Sequence, residues 1–556
     1  VSDVDVAPVD AAPEHRRETA GRAGRTDLGR WAIRLGWVAL AAPFALEVIA
    51  ILRASQAWLI GRTTDDAFYY LEIARRIDHG QGFSFDGIHA TNGFHPAWQL
   101  ILAGLGLAVP GQTALLKADL LLCLAMIFVA LLLVVRVVWR WLGPGPALAG
   151  AILAAHSREA MNNFADGMEG ALCVLALALL LTALVWYFDD PSARRAVVVG
   201  ALCGLVVLSR LDMVVVMWVV PVAMVVRVRA WRHIGGWLIG TAVALPWALW
   251  YWSRYHHVLT TSATVKQHQI AALAAADGGR LSRGWFDYVG GKSGAAIRSV
   301  VDLVWDSAWR DVTVLGIGLG LALAGLAVFG AITRLAGRRG HADRAGRSGA
   351  SVAWGVGAVA VLLAVKAAFD LLNSPTWASG WYFTPQKVAV PFAVGSLAWI
   401  GVAALSTRSR QVGIAAAAVL CVFALPLNGA QVRQSADPAV DGTVWQGAID
   451  QAASWVRLHG PPGRYGASDA GLLGYRLDGF RPVVNLDGLV NNYRFADLMD
   501  RGATLLERIR ATGVDVYVNR LTQDQLQAMP CARLLWRSPA LLGGAPADVL
   551  DVRGCR

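Results

Sequence analysis

Charge is what this sequence has least of. Asp, Glu, Lys and Arg make up 16% of its 556 residues, against about 25% in ordinary soluble domains, which excludes a conventional water-soluble chain. Nucleotide signatures are missing too: there is no P-loop and no glycine-rich dinucleotide fingerprint. Cysteine is scarce, with six residues in all, and no Cys/His spacing suits zinc. Cys123, Cys173, Cys203 and Cys421 fall in apolar blocks and read as small buried residues. Cys531 and Cys555 lie in a polar terminal region and can pair if that region is outside the cytoplasm. No internal repeat of transporter type is visible.

What is abundant is apolar sequence, 56% of the chain. It falls in blocks at 33–53, 114–141, 145–160, 168–188, 195–210, 213–229, 234–252, 313–333, 352–372, 386–405 and 411–428. Crossing a hydrocarbon core takes about 20 helical residues, so the pattern predicts about eleven spans. The stretch 97–110 is apolar but too short to cross, and is expected at the interface. The net charge of +11 is concentrated in short loops, which argues for a positive-inside membrane protein and against nucleic acid. Arginines near 194, 227–232, 334–347 and 408–410 fall in alternate loops. With the Arg-rich residues 1–30, read as a disordered tail, they place the N-terminus in the cytoplasm. Loops 54–113 and 253–312 and the terminal region 429–556 are then external. That terminal region mixes helical periodicity at Val444–Leu458 with strand-like runs at 482–486 and 514–518, so a small α/β domain is expected. The fold class is an all-α polytopic membrane protein carrying a small α/β extracytoplasmic C-terminal domain.

The chemistry-bearing residues cluster in the loops expected to be external. Thr63-Thr64-Asp65-Asp66 precedes a helical pattern. It reads either as a capping sequence or as a carboxylate pair in which one member is a general base on a hydroxyl. Two oxygen ligands fall short of a divalent-cation site, but such a cation at Asp65/Asp66 is left open. Tyr69 and Tyr70 can stack on sugar rings or anchor an interfacial helix. Asn92 and His95 sit in Thr91-Asn92-Gly93-Phe94-His95-Pro96; His95 either meets a phosphate or caps the next helix. Glu169 opens a span, where the helix dipole alone explains it. Arg210 either pairs with Asp212 or faces a phosphate through its planar fork of donors. Lys266 and His268, with Gln267 and Gln269, can meet an anion or lie in a solvated loop. Trp381 and Tyr382 form an interfacial belt or a binding surface.

The run Asp65-Asp66-Ala67-Phe68-Tyr69-Tyr70-Leu71-Glu72-Ile73-Ala74-Arg75 resembles the GT-C superfamily of polyprenyl-phosphate-sugar-dependent glycosyltransferases. So do Gly80–Gly87, Thr91–Pro96 and, more weakly, Gly167-Met168-Glu169 and Asn485-Leu486-Asp487-Gly488-Leu489-Val490. Within that group the likeness is to actinobacterial terminal arabinofuranosyltransferases and pilin arabinosyltransferases. The resemblance implies a GT-C fold in the plasma membrane of a bacterium and an inverting transfer on the external face. It implies a donor sugar on a polyprenyl phosphate, with arabinofuranose first and mannose or another hexose next. The acceptor would be a glycan, a lipid or a protein. It maps the base onto Asp65, with Asp66 assisting, and adds Asp487 as a substrate-binding residue. Arg210, Lys266 and His268 are candidates for the donor phosphate by topology alone. A lipid or glycan transporter and a non-catalytic assembly protein are the alternatives.

Overall fold

A computed structural model describes residues 14–157, 161, 164–257, 259–276, 344–373, 380–408, 444–539 and 546–555. Six described helices are long and apolar enough to cross a membrane: Ile33–Arg53, Gln112–Leu142, Gly170–Asp189, Leu211–Val228, Arg232–Tyr255 and Gly349–Asp370. Helices Pro144–His156, Ala193–Ser209 and Thr384–Arg408 match three further expected blocks. The blocks at 313–333 and 411–428 lie outside the described residues. The protein is a multi-pass membrane protein. One expectation is corrected: α1 runs unbroken over Glu14–Arg53, so the tail is helical from residue 14 onwards. Extending an existing helix fixes one residue per hydrogen bond gained, which avoids the cost of a new nucleus.

Helices pair in the membrane by close backbone approach. Arg232–Thr241 lies against Ala193–Ser209. A Cβ on Gly200 would collide with the Trp237 carbonyl, and one on Gly240 with that of Val197. Small residues at such a crossing are the membrane solution to helix packing, because lipid offers no hydrophobic drive between helices.

The loop 54–113 is largely helical. α2 (Gln56–Arg62) leads into α3 (Asp65–Asp78) and α4 (Pro96–Ala108), the short apolar helix expected at the interface. Then α5 (Gln112–Leu142) crosses, and α6 (Pro144–His156) follows. α3 is buried on nearly every side, from Ala67 through Ala74. It packs on α4 and on a short C-terminal helix, Gly471–Leu477.

The C-terminal region opens with the expected helix, Val444–His459, and forms a five-stranded sheet in the order β2-β1-β3-β5-β4. The strands are β1 (Tyr465–Ala467), β2 (Val483–Asn485), β3 (Val516–Arg520), β4 (Arg533–Arg537) and β5 (Ala547–Asp551). β1 pairs in parallel with β2, Tyr465 beside Val483, and with β3, Gly466 beside Tyr517. β5 runs antiparallel to both β3 and β4. Alternate residues serve opposite faces. Val516 and Val518 join a core continuous with the membrane helices, while Tyr517 joins a separate cluster with Leu486, Ile509 and Leu550. Cys531 and Cys555 form a disulfide that closes the far edge.

What fastens this sheet to the membrane part is α3. The Asp65 carboxylate accepts the Gly471 N–H at 3.0 Å and the Leu472 N–H at 2.8 Å, the free donors at the start of helix Gly471–Leu477. At the other end of α3, Arg75 meets Asp478 at 2.6 Å.

Two outcomes follow from these fastenings. Asp65→Asn leaves one acceptor oxygen for two N–H donors and turns an amide NH₂ towards one of them. The expected cost is about 1–3 kcal/mol, read as faster protease cleavage between the membrane helices and the sheet; an unchanged cleavage rate removes Asp65 as the fastening. Replacing Cys531 and Cys555 by serine releases a link between residues 24 apart. That costs about 3 kcal/mol and lowers the thermal unfolding midpoint of the C-terminal region in detergent.

Candidate active site

Where α3, the 164–170 turn, the Arg210 corner, helix Thr261–Ala276 and the 487–490 turn converge, they enclose a cavity of about 760 Å³. Ligand pockets commonly span about 300–1,000 Å³. The sequence motifs serve as the joints. Asn92 donates to the Tyr493 hydroxyl at 2.9 Å and accepts the Thr261 N–H at 3.0 Å, joining three segments. Thr91 Oγ1 donates to the Asn491 carbonyl at 3.0 Å. Gly93 lies so close to the Leu489 carbonyl that a Cβ there would collide with it. Asn92 is therefore a tether that does not line the cavity.

The adjacent carboxylates separate. Successive residues of a helix point about 100° apart. Asp65 turns to the C-terminal helix and is absent from the cavity wall, whereas Asp66 lines it half-buried. Burial, with Asp469 and Asp66 nearby, pushes Asp65 up to about 7 against the pull of its two N–H donors. Burial pushes Asp66 up to about 6, with Lys266 acting against it and Glu169 and Asp469 reinforcing it. Because both Asp65 oxygens already accept N–H bonds, the pair does not fit a shared cation. No group of three or more His, Cys, Asp or Glu among the described residues is arranged for a metal.

Next to Asp66 stands a chain of paired groups. Tyr70 donates to Glu169 Oε2 at 3.1 Å, and Arg210 holds Glu169 Oε1 at 2.8 Å. Arg210 also grips Asp212 with two nitrogens, at 3.1 and 2.8 Å. His95 Nδ1 accepts the Leu211 N–H at 3.1 Å, which leaves the ring proton on Nε2, 3.5 Å from Glu169. Burial lowers the His95 pKa, so the ring stays neutral near pH 7. Lys266 donates to the Tyr382 hydroxyl, and the Tyr382 ring centroid is 5.1 Å from Lys266 and 5.2 Å from Arg210. Burial works against the Lys266 charge, but Tyr382 and Asp66 outweigh it and its pKa is raised. Lys266 is thus a cation at any physiological pH.

Tyr69 is at the rim, and its hydroxyl is occupied: it donates towards Asp487 at 3.2 Å and receives the Asn485 amide and the Ala470 N–H, each at 3.1 Å. Asp487 sits behind Tyr69, outside the cavity lining, and burial pushes it up to about 8. Two further expectations resolve differently. His268 turns away, its Nδ1 3.4 Å from Asp500, because two residues along a helix are about 200° apart and Lys266 takes the inner face. The Trp381 side chain lies outside the described residues.

The sequence reading passed over Lys366 and Asp370. Lys366 pairs with Asp212 at 3.0 Å and with Asp370, one turn further along the same apolar helix. Asp212 and Asp370 line the cavity floor. Two opposite charges four residues apart in a membrane span were the available signal, since such residues rarely occur there without a task. Trp247, Tyr251 and His257, also unanticipated, complete an aromatic wall.

No protein-family model matches this sequence, and no curated protein does. Among solved structures, the oligosaccharyltransferase of Archaeoglobus fulgidus in its apo form is similar over 87% of this chain and 69% of its own, with 13% identity and a TM-score of 0.52. The oligosaccharyltransferase AglB of the same organism, in complex with an inhibitory peptide and a dolichol-phosphate, aligns over the same shares at 13% identity with a TM-score of 0.47. ArnT from Cupriavidus metallidurans bound to undecaprenyl phosphate aligns over 94% of this chain and 99% of its own, at 15% identity and a TM-score of 0.45. At such identities the likeness is one of fold: the chain has the GT-C fold, the architecture of the archaeal oligosaccharyltransferase.

Proposed function

We propose that this chain is a membrane glycosyltransferase that moves a sugar from a polyprenyl-phosphate carrier to an acceptor hydroxyl, with inversion, on the external face of a bacterial plasma membrane. The observation that carries this reading is that Asp66 and Lys266 line one cavity, each within electrostatic reach of the other, while another flank is apolar. Val214, Leu249 and Trp252 on that flank also face out of the helix bundle, which suits a lipid chain reaching in from the side. The external side is supported by the short arginine-bearing loops near 194, 227–232, 334–347 and 408–410, which fall on the opposite side in the expected topology, and by the disulfide.

The chemistry follows from the groups present. Asp66 takes the proton of the acceptor hydroxyl as its oxygen bonds to the anomeric carbon. The bond from that carbon to the phosphate oxygen breaks, and the electron pair leaves with the polyprenyl phosphate, which gains one negative charge. Lys266 faces that charge, and Arg210 also lies against the Tyr382 ring. A carboxylate raised towards 6 is a better base than an ordinary one and is still mostly ionised at neutral pH. The role that the sequence resemblance assigned to Asp65 passes to Asp66. Following that resemblance, arabinofuranose is the first donor sugar to test and mannose the second.

The test is transfer from radiolabelled polyprenyl-phospho-arabinose and polyprenyl-phospho-mannose by membranes containing the protein. Asp66→Asn is expected to lose about 10²–10⁴-fold in rate, with normal membrane insertion. Wild-type rate is expected to fall as pH drops through about 6 and Asp66 is protonated. Equal transfer by the variant removes Asp66 as the base. Transfer from no lipid-linked sugar by the wild type rejects the reading and favours an assembly role.

A further inference from the structure

The C-terminal sheet carries a feature that the proposed chemistry does not use. Its three parallel strands run β1 to β2 on one side and then β3 on the other, so the chain reverses direction across the sheet between β1 and β3. In open α/β sheets such a reversal leaves a crevice at the carboxyl ends of the two strands, and ligands bind there. Here those ends are Ser468-Asp469 after β1 and Asn519-Arg520 at the end of β3.

This edge of the sheet points at the cavity. Ala470, next to Asp469, bonds to Tyr69, which lines the cavity rim. Asp469 is exposed, and its charge is felt at Asp66 as well as at Arg520. Between the strands the Tyr517 hydroxyl is held by Ser468 Oγ at 3.0 Å and by the Asn519 amide at 2.9 Å. The crevice therefore carries an exposed carboxylate, Asp469, with the half-buried Ser468 hydroxyl, Asn519 amide and Arg520 guanidinium around it and the buried Tyr517 hydroxyl bracing Ser468 and Asn519. Such a set both donates to and accepts from vicinal hydroxyl groups.

The usual occupant of such a crevice is a phosphate at the N-terminus of the helix after β1. That position is filled by the protein itself, because the Asp65 carboxylate takes the Gly471 and Leu472 N–H groups. Asp469 adds a further charge against an anion. What remains is a site for a neutral polyhydroxylated ligand.

We infer that the crevice between β1 and β3, formed by Ser468, Asp469, Tyr517, Asn519 and Arg520, binds an uncharged sugar unit of a glycan acceptor and brings its hydroxyl to Asp66. This rests on the glycosyltransferase reading above. It makes the acceptor a glycan and the C-terminal domain its reader.

The experiment measures binding of neutral arabinofuranose and mannose trisaccharides to the full chain in lipid nanodiscs, by calorimetry, with no donor present. Wild type is expected to bind. Asp469→Asn and Arg520→Gln are each expected to weaken binding about tenfold or more, since each removes a charge-assisted hydrogen bond. Arg533→Gln, on the far edge strand β4, is expected to bind as wild type. Unchanged thermal midpoints show that the variants are folded. Wild-type binding of neither trisaccharide overturns the inference, as does undiminished binding by both crevice variants or tighter binding of a phosphorylated trisaccharide. Trisaccharide binding without transfer of any lipid-linked sugar leaves the crevice standing and removes the transferase. Transfer with crevice-independent binding does the reverse.

Discussion

The structure depends on a carboxylate buried against the start of a helix that lies some four hundred residues away in sequence. Asp65 satisfies two N–H groups that nothing else in the short helix can reach, and in doing so sets the orientation of α3. Every later residue of that helix inherits its direction from this contact. Asp66 faces the cavity, Tyr69 its rim, Tyr70 the Glu169–Arg210 pair, and Arg75 the Asp478 anchor. A buried charge is costly unless well bonded, and the raised Asp65 pKa records how far burial outweighs its two bonds.

Much of this was legible in the sequence, for reasons that differ by residue. The spans were readable from block length because lipid imposes a single length scale. The strands β2 and β3 were readable from short β-branched runs bounded by turns. Asp66, Tyr70, His95, Glu169, Arg210, Lys266 and Tyr382 were selected because polar residues beside a bilayer need a reason, and they do line one cavity. What the sequence left open was direction. Adjacent Asp65 and Asp66 are alike in composition, and only the docking of a distant helix decides which one faces inwards. Lys266 and His268 appeared interchangeable while 261–276 was read as a loop; once it is a helix they occupy opposite faces. Asn92 belongs to a recognisable motif, but its role is to hold segments together, and a motif does not distinguish a tether from a ligand contact.

The charges at the cavity floor are organised as a ladder in which each carboxylate lies beside a cation. Glu169 meets Arg210, Asp212 meets both Arg210 and Lys366, and Asp370 meets Lys366. Such a ladder sets each buried charge against an opposite one, which offsets the cost of holding it in low-dielectric surroundings. Lys266 stands apart from it, bonded to a phenol and only within electrostatic reach of Asp66. The two kinds of cation thus differ in what they can offer an incoming anion. The ladder supplies a fixed background potential, while Lys266 can exchange a neutral partner for a charged one.

The cavity wall draws on segments from Asp66 to Leu489 and Val490, so it spans most of the chain. Contacts of such sequence separation form late in folding. A growing chain inserts its membrane helices first, and at that stage the pocket lacks one wall. The site closes only when the segment carrying Leu489 and Val490 has been made and packed against the helices. Biogenesis itself therefore acts as a timer: a half-made copy holds Asp66 and Lys266 in an open trough, which becomes a cavity only once that late wall is in place.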